Sequence, residues 1–484
     1  MVAFDAAARR RSLERMAETE LDVLVIGAGI TGCGVALDAA SRGLSVALVE
    51  AEDFASGTSG RSSRLVHGGV RYLSQREFSL VRESLRERRV ILRNAPHLVH
   101  PLEMVLQTTG WRGASARAGF LLYDALGAHG IARHRRITAE EAADAVPGFG
   151  RHAPAFVYTE CATDDARLTL AVARAAAAHG ALVANHARVD ALLGAGRVVG
   201  ARIHDQLTAE TLEVRARTTV NATGVWAAAT QGLAVTQPRS QVTSKGVHVV
   251  FRPGAVRTVS GAIIRSLVED GRLMFVIPWE DRVYVGTTDT RYQGPLDEPR
   301  ADEEDIAYVV GAVAEAFPGV GHDDVVATWA GLRPLVAGGE GATADLSRRH
   351  AVYEEPPGLL TVTGGKLTTY RAMAEDVVDR IAGGRCLTAS IPLGLTRPLD
   401  DVVAAAEAAA GPVGRRLVRL YGDDWVAAHE RLQADPALAE PYVEGAPVLA
   451  LEVALAREWE MALTDEDVHV RRTRLASFGV SPPG

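Results

Sequence analysis

Apolar residues near the start of the chain follow first a strand pattern and then a helix pattern. Residues 21–26 form an apolar run of strand length, and apolar residues recur at helical spacing over 30–40 until Gly43 supplies a stop. A second strand-like run over 45–49 ends at Glu50. Strand, helix and strand in this order predict one βαβ unit close to the start of the chain.

Similar periodicities predict further elements downstream. Helical patterns cover residues 6–18, 78–92 and 302–317, and a further helix is capped by Asp164 or Asp165 and stopped by Gly180. Strand patterns occur up to Val220 and again at 246–251, 261–268, 272–279, 282–289 and 329–335. Residues 359–381 have the pattern of a strand, a glycine turn and a helix. Residues 97–160 show no clear period, and only helical patterns follow Pro398.

The interleaving of these elements predicts an α/β fold with a Rossmann-like nucleotide-binding domain assembled from separated segments. An antiparallel block would form an α+β substrate domain, and the last helices a small all-helical C-terminal domain. The predicted boundaries are 1–20 for an N-terminal helical extension, 21–75, 161–235 and 330–385 for the nucleotide-binding domain, 76–160 and 236–329 for the substrate domain, and 398–484 for the C-terminal domain.

The turn between the first strand and its helix has the GxGxxG pattern of a dinucleotide-binding site. Gly27 permits the tight turn, Gly29 lets backbone approach a pyrophosphate, and Gly32 allows the helix to pack closely on the strand. The free N–H groups at the start of the helix would face the phosphates. Glu50 ends the second strand, where its carboxylate can accept the ribose hydroxyls. These features predict a bound dinucleotide.

A second glycine-rich helix entry, residues 363–369, favours FAD over NAD. A reduced flavin carries negative charge, which a helix N-terminus and the neighbouring Lys366 would stabilise. A nicotinamide gains no net negative charge on reduction, so it has less need of such a site.

Composition narrows the class of protein. The chain has 484 residues, of which 47% are hydrophobic and 23% charged, as in ordinary globular proteins. Its net charge of −8 makes any anion site a local basic patch and gives no general case for nucleic-acid binding. The 3 cysteines lie far apart without CxxC or metal-binding spacing, which favours a reducing compartment. We therefore expect a cytoplasmic protein without a metal site.

The sequence also bears on whether the protein contacts a membrane. No apolar run reaches the ~18 residues that span a bilayer, and the N-terminus lacks the apolar core of a signal peptide. The predicted helix over 6–18 carries Arg9, Arg10 and Arg11, which could touch an anionic membrane. A plain solvated face is the favoured interpretation.

Several motifs together resemble one family. TSGRSSRLVHGGVRYL, residues 58–73, is followed in order by DDARL, NATGVW, VGTTD, GLRPL and GGKLTTYR. With these motifs and the C-terminal EWEMALTDEDVHVRRTRL, nearly the whole chain resembles FAD-dependent glycerol-3-phosphate dehydrogenases. The resemblance implies a FAD-binding domain of the glutathione-reductase and D-amino-acid-oxidase type, with FAD held non-covalently. It also implies oxidation of sn-glycerol 3-phosphate to dihydroxyacetone phosphate by hydride transfer from C2 to FAD, with electrons passed on to a quinone.

Cofactor contacts follow from the motifs and the resemblance together. Hydroxyl groups of the 58–63 segment suit the FAD pyrophosphate, and Gly68 and Gly69 would let backbone pass close to the flat flavin ring. Trp226 is expected near the nucleotide part of the cofactor. The predicted cofactor-binding residues are Gly27, Gly29, Ile30, Thr31, Gly32, Glu50, Thr58, Ser59, Ser62, Ser63, His67, Gly68, Gly69, Val189, Ala222, Gly224, Trp226, Gly365, Lys366, Leu367 and Thr368.

Substrate contacts are predicted from the chemistry and from the resemblance. A phosphate dianion needs cationic partners, and a base must take the proton of the C2 hydroxyl. By resemblance, the residues that bind phosphate and substrate oxygens are Arg71, Tyr72, Thr288 and Arg333, with Lys366 beside the flavin and His248 facing the substrate. We expect Arg61 and Arg64 to be structural ion-pair partners instead.

Two histidines compete for the role of base. His67 lies in the HGG motif beside the flavin, and His248 lies in KGVHVV of the substrate sheet. A neutral imidazole with an ordinary pKa of ~6.5 suits either position. We favour His248 as the base and His67 as a flavin contact, with Arg333 as the third residue of the catalytic group.

Three alternatives stay open at this stage. A flavin amino-acid oxidase of the same fold would need one arginine for a carboxylate and a site for a neutral amine. A glycerol-3-phosphate oxidase would pass electrons to O2, and access to the flavin edge decides this choice. A non-catalytic FAD-binding scaffold would lack the base or the substrate arginine, and fold alone does not exclude it.

Overall fold

The computed structural model describes residues 3–73, 75–108, 110–127, 131–265, 272–335 and 349–482. The strands are β1 Leu21–Ile26, β2 Val46–Val49, β3 Leu65–Val66, β4 Val99–Gln107, β5 Arg135–Ile137, β6 Ala155–Thr163, β7 Leu182–Ala184, β8 Ala187–Leu192, β9 Gly200–Asp205, β10 Thr211–Asn221, β11 Val242–Phe251, β12 Gly261–Arg265, β13 Leu273–Trp279, β14 Arg282–Gly286, β15 Thr290–Arg291, β16 Val325–Leu335, β17 His350–Glu354 and β18 Leu359–Gly364.

The helices are α1 Ala6–Glu18, α2 Ile30–Ser41, α3 Phe78–Asn94, α4 Gly110–Gly127, α5 Ala139–Ala145, α6 Asp165–Ala178, α7 Ala227–Gly232, α8 Glu303–Ala316, α9 Tyr370–Ile381, α10 Leu399–Ala410, α11 Pro412–Tyr421, α12 Trp425–Ala434 and α13 Ala450–Trp459. The predicted elements over 6–18, 21–26, 30–40, 78–92 and 302–317 all appear, within about two residues at each end.

The first sheet has eight strands and is mainly parallel. Its central order is β18-β10-β1-β2-β7, and β17 closes one edge in antiparallel orientation. In β1, Val25 lies opposite Leu48 of β2 and Val220 of β10, so the apolar run is covered on both sides. Helices α2, α6 and α9 bury their apolar faces on one face of the sheet, and α1 with strands β8 and β9 covers the other, so both faces are buried. The Rossmann-like α/β prediction is confirmed.

The second sheet has ten strands and is mainly antiparallel. Its order is β15-β11-β14-β13-β12-β4-β6-β3, with β16 paired to the outer side of β11 and β5 to β6. Helix α8 packs on the face of this sheet that carries Val249 and Phe251, opposite to the face that carries His248, and its Val309 and Val313 are buried there. The strand predicted over 261–268 is observed over 261–265, and residues 266–268 lie outside the described part of the chain.

The segment without a clear period, 97–160, supplies two central strands of this second sheet. β6 is buried at every position, so it lacks the alternation that would identify a strand. β4 carries exposed polar residues and a proline in its first half. β16 pairs with β11 along its whole length, so a boundary at residue 330 would divide one strand. We propose the same division into domains, with residues 330–335 moved to the substrate domain so that β16 stays whole.

The N-terminal helix α1 packs against the first sheet through Leu13 and Met16. Arg9 is buried, and its guanidinium binds the carboxylate of Asp205 at 2.6 Å. The expectation that Arg9 faces solvent or a membrane is therefore wrong, because Arg9 is needed for this internal ion pair. In the described part of the chain, none of the helices is both long and apolar enough to cross a bilayer.

The C-terminal helices α10–α13 enclose their own core around Leu417 and Leu451. The chain then returns to the first sheet through a π-helical turn, Asp467–Arg472. Arg471 and Arg472 both bind the buried carboxylate of Asp53, at 2.9 and 2.6 Å. Buried ion pairs therefore fix the C-terminal segment to the loop that follows β2.

Candidate active site

One cavity of about 740 Å³ lies between the two sheets. Most of the predicted site residues line it, although they come from segments far apart in the sequence. Those lining it are Gly27, Gly29, Ile30, Thr31, Glu50, Thr58, Ser59, Ser62, Ser63, His67, Gly69, Arg71, Tyr72, Val189, Ala222, Gly224, Trp226, His248, Arg333, Gly365, Lys366, Leu367 and Thr368. Gly32, Gly68 and Thr288 do not line it.

The GxGxxG turn leaves the start of α2 open to the cavity. Gly27 adopts φ +100°, and a Cβ there would lie 2.8 Å from the carbonyl oxygen of Ala222. A Cβ at Gly32 would lie 1.8 Å from the carbonyl oxygen of Gly27, so only glycine lets α2 pack this closely on β1. Gly32 thus acts through helix packing, while Gly29 lines the cavity at the N-cap of α2.

Glu50 ends β2 at the rim of the same cavity. Its carboxylate accepts hydrogen bonds from the backbone N–H groups of Ala28 (2.7 Å) and Glu52 (3.0 Å). Burial raises the pKa of Glu50. The acid predicted for ribose binding is therefore tied directly to the glycine turn.

The four hydroxyl residues predicted for the pyrophosphate have different partners. Ser59 Oγ accepts the N–H of Ile30 at the start of α2, at 2.9 Å. Thr58 donates its hydroxyl to the carbonyl of Leu332, at 2.6 Å. Ser62 donates to the carboxylate of Asp165 at 2.6 Å, and Ser63 shares a 2.8 Å hydrogen bond with His248. Of these four hydroxyl groups, only that of Ser59 therefore has its partner at the N-terminus of α2.

The HGG and GGK motifs meet at the wall of the cavity. Thr368 Oγ1 donates to the carbonyl of His67 and accepts the N–H of His67, both at 3.1 Å. Lys366 Nζ lies 3.8 Å from the centroid of the Tyr72 ring. This pairing brings the predicted substrate residues of one loop beside the predicted flavin residues of the other.

Gly68 serves the packing behind this loop. A Cβ at Gly68 would lie 2.1 Å from the hydroxyl of Tyr123, and its N–H donates to Glu160 at 2.8 Å. Glu160 is in turn held by Arg88 (2.6 Å) and by the hydroxyl of Tyr123 (2.9 Å). Close contact with Tyr123 excludes a side chain at Gly68, and of the two glycines only Gly69 lines the cavity, so a backbone contact of Gly68 with the flavin stays a prediction.

Arg333 of β16 crosses the second sheet towards the residues after β14. A Cβ at Gly246 would lie 2.2 Å from Arg333 Nη2, so the guanidinium passes directly over that glycine. Arg333 donates to the hydroxyl of Thr287 (2.9 Å) and to the carbonyl of Thr288 (3.2 Å). The Thr288 hydroxyl is buried and accepts the N–H of Val247 at 3.0 Å. Thr287, and not Thr288, therefore presents its side chain to the cavity.

Two cavity residues were missed by the sequence interpretation. The buried Asp289 carboxylate lies 3.3 Å from Arg272 Nη1 and 3.7 Å from Arg333 Nη1, and it accepts the hydroxyl of Ser244. Both Arg272 and Asp289 line the cavity. Arg272 begins one predicted strand segment, 272–279, and Asp289 ends the other, 282–289, so charge at a strand end was the available signal.

His248 lies on β11 between β14 and β16, fully enclosed. Its ring stacks on Trp329 with centroids 4.7 Å apart, and Nε2 shares the hydrogen bond with Ser63. Nδ1 is buried without a hydrogen-bond partner among the described residues. Burial holds the pKa of His248 well below its usual 6.5, and the charges of Arg333 and Arg64 act in the same direction. The imidazole is therefore neutral, as a proton acceptor must be.

Arg61 and Arg64 do not form the expected ion pairs. The Arg64 guanidinium lies 4.4 Å from the ring centroids of both Trp279 and Trp329 and donates to Ser477 at 2.8 Å. Arg61 lines the cavity. The prediction of ion pairs is wrong for both, because aromatic rings hold Arg64 and Arg61 has no acidic partner among the described residues. Asp164 does cap α6, accepting the N–H of Arg167 at 3.0 Å.

At the other end of the cavity, Trp226 donates from Nε1 to Asp297 at 2.9 Å. Its ring lies against Gly57, where a Cβ would come within 2.9 Å of the indole. Val189, Ala222 and Gly224 line the same end. Their contact with the nucleotide part of the cofactor stays a prediction.

Comparisons with known proteins agree with this geometry. A family model described as FAD dependent oxidoreductase matches residues 22–380, and one described as the C-terminal domain of alpha-glycerophosphate oxidase matches residues 380–481. Glycerol-3-phosphate dehydrogenase 2 of Mycobacterium tuberculosis is 40% identical over 98% of this chain and 84% of its own. Aerobic glycerol-3-phosphate dehydrogenase of Bacillus subtilis is 35% identical over 99% of this chain and 91% of its own.

The chain belongs to the FAD-dependent glycerol-3-phosphate dehydrogenases. The solved glycerol-3-phosphate dehydrogenase of Bacillus halodurans, complexed with FAD, superimposes with a TM-score of 0.80 at 32% identity, covering 98% of this chain and 90% of that one. The FAD prediction is thereby confirmed. The residues fit the cofactor: Gly29 opens the α2 N-terminus to the cavity, Glu50 stands at the end of β2, and the Lys366 turn closes the other end.

Proposed function

We propose that this enzyme oxidises sn-glycerol 3-phosphate to dihydroxyacetone phosphate and passes the electrons to a quinone. One observation carries the proposal: the guanidinium groups of Arg272 and Arg333 lie on opposite oxygens of the Asp289 carboxylate at the cavity wall. Two guanidinium groups in one wall suit a phosphate dianion, which is costly to bury without cationic partners. The names of the relatives support the same substrate.

Two further cations of the cavity, Arg71 and Lys366, extend this substrate site. Arg71 and Tyr72 follow the HGG motif in a short helical turn, and Lys366 lies over the Tyr72 ring while donating to Ser84 at 3.3 Å. We assign Arg71, Tyr72 and Lys366 to the substrate oxygens and Arg333 and Arg272 to the phosphate. Thr287 replaces Thr288 in this assignment, because its hydroxyl contacts Arg333.

Oxidation of a secondary alcohol removes a hydride and a proton. FAD supplies the two-electron oxidant when it is bound, and the chain must supply the proton acceptor. His248 is neutral and lies near Arg333, whose charge acts on its imidazole. Nε2 of His248 shares a hydrogen bond with the hydroxyl of Ser63, so Nε2 is the ring nitrogen connected to a polar group. We assign His248 as the group that accepts the proton of the substrate hydroxyl. His67, whose backbone N–H donates to Thr368, keeps its assignment as a flavin contact.

The electron acceptor and the membrane belong to the same proposal. A quinone resides in the bilayer, so its reduction requires transient, peripheral contact of this enzyme with the cytoplasmic face of the membrane. Arg10 and Arg11 of α1 are exposed on the surface and remain available for such contact. The same flavin chemistry with O2 as acceptor would make the protein an oxidase.

The test is anaerobic mixing of the purified enzyme with sn-glycerol 3-phosphate while the yellow flavin absorbance is recorded. We expect bleaching with glycerol 3-phosphate, and none at equal concentrations of glycerol or of glycine, alanine and proline. Readmitting either a soluble quinone analogue or air then identifies the acceptor by which one restores the absorbance faster. A flavin that stays oxidised with glycerol 3-phosphate would refute the substrate, and faster reoxidation by O2 would refute the quinone.

A further inference from the structure

Arg61 is an arginine of the cavity that the proposed substrate site does not use. Arg61 follows the short helical turn Thr58–Gly60, is half-buried, and lines the cavity. Its side chain makes no hydrogen bond or ion pair with any residue in the part of the chain that the structure describes. Its neighbour in the motif, Arg64, is by contrast held between two tryptophan rings.

An arginine in this position needs an anion. Withdrawal from water disfavours a charge unless a partner compensates it. The nearby charge of Arg471 adds repulsion, and both effects lower the pKa of Arg61; the charges of Glu466 and Glu298 oppose this shift but do not outweigh it. Asp53 and Asp467 do not compensate the charge of Arg61, because they already bind Arg471, at 2.9 and 2.6 Å. A bound anion next to Arg61 would remove this cost.

The position of Arg61 indicates which anion it serves. Two residues earlier, Ser59 accepts the N–H of Ile30 at the start of α2, where the glycine turn opens the cavity. The charges that act most strongly on Arg61 are those of Arg471, Glu466 and Glu298, not those of the proposed phosphate site. Arg61 is therefore close to the dinucleotide turn.

We propose that Arg61 binds the diphosphate of FAD together with the N-terminus of α2. The helix N-terminus supplies backbone N–H groups and a partial positive charge, and Arg61 supplies a full charge with a planar pair of donors. The substrate phosphate shares this chemistry, so the test must separate a cofactor contact from a substrate contact.

The experiment measures FAD affinity directly. Dissociation of FAD from the holoenzyme is followed by the fluorescence of the released flavin, and apoprotein is titrated with FAD in the same buffers. Arg61→Ala should raise the Kd for FAD about 10- to 100-fold, as expected for the loss of one charged hydrogen-bonding group. Arg61→Lys keeps the charge without the planar donors and should recover part of this loss. The Kd of the wild type should also rise more steeply with salt than that of Arg61→Ala.

A matched control removes the same charge elsewhere. Arg135→Ala deletes an exposed arginine paired with Glu103 at 3.1 Å on the second sheet, and its Kd for FAD should stay within about twofold of wild type. If Arg61→Ala leaves FAD affinity unchanged and instead raises KM for glycerol 3-phosphate, Arg61 serves the substrate and the proposal is wrong. If neither quantity changes, the arginine has no ligand and the proposal is equally wrong.

Discussion

The hydroxyl oxygen of Ser63 lies 2.8 Å from Nε2 of His248. Ser63 belongs to the loop before the HGG motif, and His248 belongs to the second sheet, so this hydrogen bond joins the two halves of the site. Since Nδ1 has no partner among the described residues, Ser63 determines how the imidazole is oriented and which nitrogen can exchange a proton.

His248→Ala should slow the reduction of the flavin by glycerol 3-phosphate while FAD stays bound. Loss of a general base typically costs 10²–10⁴-fold, so we expect a decrease of about 100-fold or more in anaerobic stopped-flow mixing. Ser63→Ala should slow the same step less, because the imidazole remains but loses its orientation. His67→Ala is the comparison: if it slows flavin reduction and His248→Ala does not, the two roles are reversed.

Arg333→Ala should chiefly weaken substrate binding. Loss of one phosphate–guanidinium contact predicts a rise of about 10- to 100-fold in KM for glycerol 3-phosphate. Arg333→Lys keeps the charge but loses the donors to Thr287 and Thr288, and should recover only part of the affinity. Steady-state kinetics with a dye acceptor measures both.

The control for Arg333 is Arg252→Ala. Arg252 is an exposed arginine next to β11, paired with Asp324 at 2.7 Å, and its removal changes the net charge equally. Its KM should equal that of the wild type. An Arg333→Ala enzyme with wild-type KM would eliminate Arg333 from the phosphate site.

The nucleotide-binding half could be predicted because its signals are local. The glycine turn, α2 and Glu50 lie within one βαβ unit, so the sequence spacing alone places them together. In the proposed phosphate wall, the resemblance predicts Arg333. It does not predict Arg272 and Asp289, because Asp289 meets the two arginines only after β13, β14, β11 and β16 have paired.

Two predicted site residues, Thr288 and Gly68, do not line the cavity, for equally physical reasons. Thr287 and Thr288 are adjacent, and the turn after β14 decides which side chain faces the cavity. The contact between Gly68 and Tyr123 of α4 could not be foreseen, because Tyr123 lies in the part of the sequence that shows no clear period. Contacts of this kind depend on tertiary packing, which single-sequence patterns do not contain.

Gly32→Ala should lower both the FAD content and the thermal midpoint of unfolding. The new Cβ would lie 1.8 Å from the carbonyl oxygen of Gly27, a backbone atom that cannot move without opening the turn. The flavin-to-protein absorbance ratio and a melting curve measure the two effects. Gly311→Ala, at an open position in α8, should keep full FAD content and a wild-type or slightly higher midpoint. Equal behaviour of the two variants would show that the turn tolerates displacement.

His97 should make the fold sensitive to mild acid. It is buried between α6 and the C-terminal helices, and burial lowers its pKa to about 4, with Asp423 opposing and Arg167 and Arg174 reinforcing the shift. Above pH ~6.5 the imidazole is neutral in both the folded and the unfolded chain, so it does not affect stability. Between pH ~6.5 and about 4 only the unfolded chain takes up a proton, which stabilises that state and costs the fold up to about 3 kcal/mol.

His97→Gln should therefore lose less of its thermal midpoint than the wild type when the pH falls from 7 to 4.5, whereas His152→Gln, at an exposed position, should follow the wild type. Parallel losses in all three proteins would mean that other groups cause the acid sensitivity.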